Sequence, residues 1–140
     1  MARVFVLKFN HGDILLEELA RFVKKEKIKT ATMVFIGALH KGDLAAGPKK
    51  PILPPQPNRV RFKDGWEVMG IGTVFFNSSG GQIHIHGSLG QKVKTLTGCV
   101  RGATQVFGVI EAVVFELKGV KATKSIDGKT GINLLRIGSL

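Results

Sequence analysis

The sequence predicts an α+β fold: a mixed, mainly antiparallel β-sheet with one main helix, forming a single domain over residues 1–140. Three observations carry this expectation. Short apolar segments of strand length recur along the chain between glycine-rich breaks. Only the stretch after Gly12-Asp13 places its apolar residues at helical spacing. A chain of 140 residues, 44% of them hydrophobic, can bury roughly two thirds of its unfolded surface in one core without disulfide staples. Many strands beside one helix favour an α+β sheet protein over a doubly wound one.

Taken in order, residues 4–9 read as a strand. The helix then follows, with Leu15, Leu19, Phe22 and Val23 on its apolar stripe. Residues 31–39, rich in Val, Ile and Phe, read as a buried strand, in which Gly37 marks a bend or a close backbone approach. All five prolines fall between Pro48 and Pro57, which predicts an extended loop too short to separate two domains. Five further strands are expected at residues 59–63, 66–76, 82–88, 92–96 and 106–117. The tail, with Asp127-Gly128 between residues 120–125 and 132–137, reads as a hairpin. There is no internal repeat.

Lysine and arginine number 21 against 10 acidic residues, a formal charge of +11 that invites an anionic partner. The longest apolar runs, such as residues 33–39, are far too short to cross a bilayer. Arg3 and Lys8 bracket too few apolar residues for a signal-peptide core, so a cytoplasmic protein is expected. Most of the charge lies in the first 63 residues. Lys24, Lys25, Lys27 and Lys29 follow the helix, where cations stabilise the negative end of its dipole. Arg59, Arg61 and Lys63 alternate with Val60 and Phe62, placing three cations on one strand face. With Lys49 and Lys50 they are the candidate contacts to DNA phosphates or another polyanion, although a solvated sheet face accounts for them equally well. Tyrosine is absent and most phenylalanines lie inside apolar runs, which argues against stacking on single strands. No base-reading helix is evident, so only sequence-independent binding is supported.

The segment Gly81-Gln82-Ile83-His84-Ile85-His86-Gly87 holds the most informative residues. In a strand the period of two sends both histidines to one face and both isoleucines to the other. The imidazoles then stand roughly 6 to 7 Å apart along the strand, near enough to reach one transition-metal ion. Cys99, the only cysteine, has no intrachain partner for a disulfide and is a soft third donor in what reads as a Gly-bounded turn. Zinc with three protein ligands would keep a fourth position for water or substrate. The spacing alone leaves a second reading open, in which the histidines line a solvated face and Cys99 is a small buried hydrophobe.

The run from Trp66-Glu67-Val68-Met69-Gly70-Ile71 through His84-Ile85-His86-Gly87-Ser88-Leu89 resembles the PPC domain, the "plants and prokaryotes conserved" domain. Phe35-Ile36-Gly37-Ala38-Leu39 is similar to that family's Ile-Gly-Ala-Leu strand end, and Asp127-Gly128-Lys129-Thr130-Gly131 to its closing turn. Cys99, in Thr97-Gly98-Cys99-Val100, falls where the family has its third histidine. The resemblance implies a sheet fold assembled as a homotrimer, with zinc (Zn) held by His84, His86 and, in place of histidine, Cys99. Glu111, which interrupts the apolar run of residues 106–117, is a candidate to orient a ligating histidine; solvent exposure or pairing with Arg101 explains it equally. Cupins also carry His-x-His on a strand, but the glutamate expected after the second histidine is missing, since Gly87-Ser88-Leu89-Gly90-Gln91 follows His86.

Three functions compete. Plant PPC proteins add an Arg-Gly-Arg-Pro arm for the A·T minor groove, a motif absent from this sequence, so a DNA-binding or regulatory role would rest on the basic residues above. A zinc-dependent enzyme would use the open position of the ion to polarise a carbonyl or activate water. A small-molecule-binding module would use a pocket at the trimer interface. Paired carboxylates, a phosphate-binding glycine loop and a nucleotide fingerprint are all missing.

Overall fold

Leu15, Leu19 and Val23 lie four residues apart in turn and are all buried, which gives α1 (Leu15–Lys25) its packing face. Glu17 and Glu18 in its first turn, and Lys24 and Lys25 in its last, complement the helix dipole. Asp13 looks like an N-cap but caps nothing: its carboxylate accepts the Asn10 N–H at 2.8 Å and fixes the turn before the helix. Lys27, at φ 55°, ends the helix in the left-handed region, and Ile28 donates back to the Val23 carbonyl.

The computed structural model describes residues 2–138. Around α1 it has β1 (Val4–Asn10), β2 (Thr30–Pro48), β3 (Pro57–Phe62), β4 (Trp66–Asn77), β5 (Gly80–Gln91), β6 (Lys94–Glu116), β7 (Ala122–Ile126) and β8 (Asn133–Ile137). Strand order is β3-β2-β6-β5-β4-β7-β8, with β1 beside β6. An additional β2–β4 pairing closes β2, β6, β5 and β4 on themselves. Every ladder is antiparallel except the single β4–β7 bridge at Phe76 and Thr123. Alternation along the strands sends Met33, Leu39, Val74, Ile85, Leu89, Val106 and Ile110 inward to join the helix stripe in one core. The α+β, mainly antiparallel expectation therefore holds. No helix among the described residues is long and apolar enough to cross a membrane.

Two strand boundaries differ from the sequence reading, for one reason. β2 runs on past Leu39 to Pro48, and the segments expected at 92–96 and 106–117 belong to one bent strand, β6, that also contains Cys99. The glycines read as breaks are bends and close approaches within the ladder. A Cβ on Gly98 would lie 2.6 Å from the Ala45 carbonyl oxygen, and Gly102 and Gly108 take positive φ, while the β2–β6 register shifts at three places.

Arg3 ties the ends together. Its Nε donates to Glu116 Oε2 at 2.7 Å and a terminal nitrogen to Oε1 at 3.0 Å, while another contact reaches the Glu26 carbonyl at 2.8 Å. The bond from Arg3 holds the Glu116 carboxyl below its ordinary value of 4.5. A depressed folded-state value stabilises the fold above the ordinary value, and that stabilisation disappears as pH falls through the folded-state value. Thermal melts should show wild type more stable than Glu116→Gln at pH 7, by about 1 kcal/mol, with the gap closing below pH 4.5. A gap independent of pH would exclude a role for the charge.

Candidate metal centre

β5 pairs with β4 from Gly80 to Gly90 but with β6 only from His86↔Cys99 to Gln91↔Lys94. Ile85 points into the core at 1% exposure, so His84 and His86 project from the opposite, outer face. The cross-strand register puts Cys99 directly opposite His86 on that face, as the last pair of the ladder. His84 is half-buried, His86 exposed and Cys99 buried, so the cluster opens outward through His86. The Nε2 atoms of the two histidines stand 3.0 Å apart, one ring sharing its N–H with the other. All three potential donor atoms lie within 4.8 Å of one another.

The electrostatics differ between the donors. Burial, with the charges of Lys124, His86 and Arg101, holds His84 below the usual imidazole range. It is thus neutral at physiological pH, the form that ligates metals. Burial pushes the Cys99 thiol up, against the opposing pull of Arg101, Lys124 and Arg59, so an incoming metal must displace its proton.

A tetrahedral zinc with Zn–N near 2.0–2.1 Å and Zn–S near 2.3 Å needs donors about 3.3–3.8 Å apart. The observed 3.0 Å and the 4.8 Å limit bracket that range, so rotamer adjustments of about 1 Å close the set. Two neutral imidazoles and a thiolate are a donor set that suits zinc. The residues present therefore fit the ion.

The other expected site residues are placed as follows. Cys99 sits in strand β6, not in a turn. Glu111 is also on β6, but its row runs through Ile36 and Met69 to Ser88, so β2 and β4 stand between it and the histidine strand. Among the described residues Glu111 makes no hydrogen bond to either histidine and stays outside the cluster of His84, His86 and Cys99. Arg59 and Arg61 are exposed on β3 and Lys63 lies just past its end, while Lys49 and Lys50 are exposed after β2. Arg61 pairs with Asp43 at 3.3 Å. Sequence reasoning passed over Arg101 and Lys124 as neighbours of the cluster. Arg101, two residues from Cys99 on one strand, was findable once Cys99 was placed in a strand; Lys124 arrives from the tail hairpin and has no local signal.

A model of the Plants and Prokaryotes Conserved (PCC) domain matches residues 1–118. The chain belongs to this family. Among solved structures, a plant- and prokaryote-conserved (PPC) protein from Pyrococcus horikoshii is 29% identical, with a TM-score of 0.80, covering 99% of this chain and 94% of the other. A metal-containing protein of Archaeoglobus fulgidus is 21% identical with a TM-score of 0.82, covering 94% of this chain and 91% of the other. A protein of Ralstonia eutropha JMP134, named as a "putative DNA-binding protein", is 20% identical with a TM-score of 0.81, covering 95% and 90%. The last two likenesses show the PCC fold alone. No curated protein matches the chain. The tail hairpin of β7 and β8 lies beyond the matched PCC residues, yet it brings Lys124 to the cluster.

Proposed function

We propose that this PCC-domain protein is a homotrimeric metal-binding protein that holds zinc with His84, His86 and Cys99 and keeps a fourth position for an exogenous ligand. The observation that carries it is the convergence of three donor atoms, from two strands, within 4.8 Å. The metal-containing relative from Archaeoglobus fulgidus supports a metal in this fold. Bound zinc would supply Lewis acidity at the open position. The chain's own residues set the ligands and their protonation.

Self-association is supported by the outer face. Val6, Val113, Val34, Ile71, His86 and Cys99 follow one another in a single cross-strand row. Val6 is 80% exposed and Met69, in the adjoining row, 66%. A contiguous apolar face of this kind marks an interface. The metal cluster stands at its border, which suits a ligand pocket completed between subunits.

Protein purified without chelator should carry about one zinc per chain and scatter light as a trimer. Metal-free protein from zinc-replete medium, or a stable monomer, would sink the corresponding half of this reading.

The exposed row of Arg59, Arg61 and Lys63 and the charge of +11 support a second role, sequence-independent binding to DNA or another polyanion. The relative named for DNA binding is consistent with it. Affinity for duplex DNA should fall steeply with salt, and Arg59→Glu with Arg61→Glu should reduce both affinity and salt slope. Undetectable or salt-insensitive binding removes this role.

A further inference from the structure

Three cations stand around the metal cluster, and among the described residues none of them makes an ion pair: Asp43, the register partner of Arg101, gives its carboxylate to Arg61. Arg59 pairs in register with Ala45, Ala45 with Cys99 and Cys99 with His86, so Arg59 shares the cluster's row two strands away. Arg101 follows Cys99 by two residues across the inward-facing Val100 and therefore emerges on the same outer face, roughly 7 Å along the strand. Lys124 comes from the tail hairpin. Thr123 bridges Phe76, and the Lys124 ammonium lies 6.0 Å from the Phe75 ring. Phe75 pairs with Gln82 and Thr73 with His84, so Lys124 stands over the strand pair that carries the first histidine.

Their surroundings leave these cations unpaired. At this end of the sheet the ion pairs among the described residues are Arg61 with Asp43 and Arg136 with Asp127; Arg59, Arg101 and Lys124 make none. Both Arg101 and Lys124 lie within electrostatic range of His84 and Cys99, in keeping with these positions. With zinc, two neutral imidazoles and one thiolate, the loaded centre keeps a net positive charge, to which these side chains add. An open coordination position in such a field selects against cations and neutral apolar groups and favours an anion.

We propose that the open position of the metal takes an oxyanion, the carboxylate or phosphate group of a small molecule, with Arg101 and Lys124 binding the oxygen atoms that the metal leaves free. This deepens the proposed metal-binding function and rests on it. A guanidinium offers paired N–H donors to such a group and an ammonium a compact charge. The tail hairpin thereby supplies one of the two cations that set ligand choice.

The test titrates zinc-loaded protein calorimetrically with inorganic phosphate and with acetate, in chloride at fixed ionic strength, with zinc content and melting temperature measured on every sample. At least one oxyanion should bind at about one per chain. Arg101→Gln and Lys124→Met should each weaken it about tenfold without changing zinc content or melting temperature. Replacing zinc by cobalt should give a visible spectrum that shifts when the anion is added. A preference for phosphate or for acetate assigns the ligand group. Zinc-loaded protein that binds neither better than chloride, or variants that bind as wild type does, overturn this proposal alone. Protein without zinc overturns the metal-binding function and this proposal together, so the two failures are distinguishable.

Discussion

His84→Ala is expected to lower the zinc content of the purified protein from about one per chain to near zero, with affinity reduced by more than about 100-fold. Two donors, His86 and Cys99, then face each other across one strand pair and cannot close a tetrahedral set. The variant should still fold, because His84 is only half-buried and projects from the outer face rather than into the core. Circular dichroism separates loss of metal from loss of fold. Cys99→Ser should lose zinc as well, since a serine hydroxyl is a poorer ligand than a thiolate, whereas Cys99→His supplies the donor type expected at that position and should retain it. Zinc affinity of the wild type should rise by about tenfold per pH unit around neutrality, because the buried Cys99 thiol must release one proton while His84 has none to lose. An unchanged affinity in Cys99→Ser would remove Cys99 from the ligand set.

The parts of this site were unequally legible. The period of two placed His84 and His86 on one face directly from their spacing. Cys99 was reached as their neighbour through the family resemblance and not from spacing, because that neighbourhood depends on the register between β5 and β6. The register is set by the tight turn at Lys92-Val93, where Gln91 pairs with Lys94 and counting back brings His86 opposite Cys99. That turn lacks the Asn-Gly or Asp-Gly signature that announces a two-residue hairpin, and Lys92 adopts φ 54° without glycine. Glu111 failed as an orienting residue for a different reason. Its place in an apolar run was legible, but only the Lys94–Cys99 end of β6 pairs with β5 while the Glu111 end pairs with β2 and β1, a matter of topology that no local pattern carries. The glycines misled in the opposite direction: at Gly98, Gly102 and Gly108 the backbone bends without leaving the strand, so a composition that signals a break marks a bulged ladder.

Gly37→Ala should be the most damaging single methyl in the chain's sheet. Gly37 sits at φ 144°, a region that L side chains rarely adopt, and a Cβ there would fall 2.2 Å from the Val109 carbonyl oxygen and 2.8 Å from Ile110 Cα. These are backbone atoms, held by β6 pairing with β2 on one side and β1 on the other, so they cannot swing away as a side chain would. Strain at the residue and overpacking against the ladder add to about 2–6 kcal/mol, against a total stability of roughly 5–15 kcal/mol for a domain. The melting temperature should fall by about 10 °C or more, or the protein should fail to accumulate in soluble form. Gly12→Ala is the control, because Gly12 also has positive φ, at 90°, but no neighbouring atom within 4 Å of the added Cβ. The difference between the two variants isolates the close approach from the backbone strain. Equal melting temperatures would mean that the ladder opens freely at this point. The consequence reaches the metal centre, because the β2–β6 register shifts first between Gly37 and Ala38. Further along the same pair, Ala45 meets Cys99 and Asp43 meets Arg101. A Gly37→Ala protein that survives purification should therefore bind zinc more weakly than Gly12→Ala, although neither residue touches a ligand.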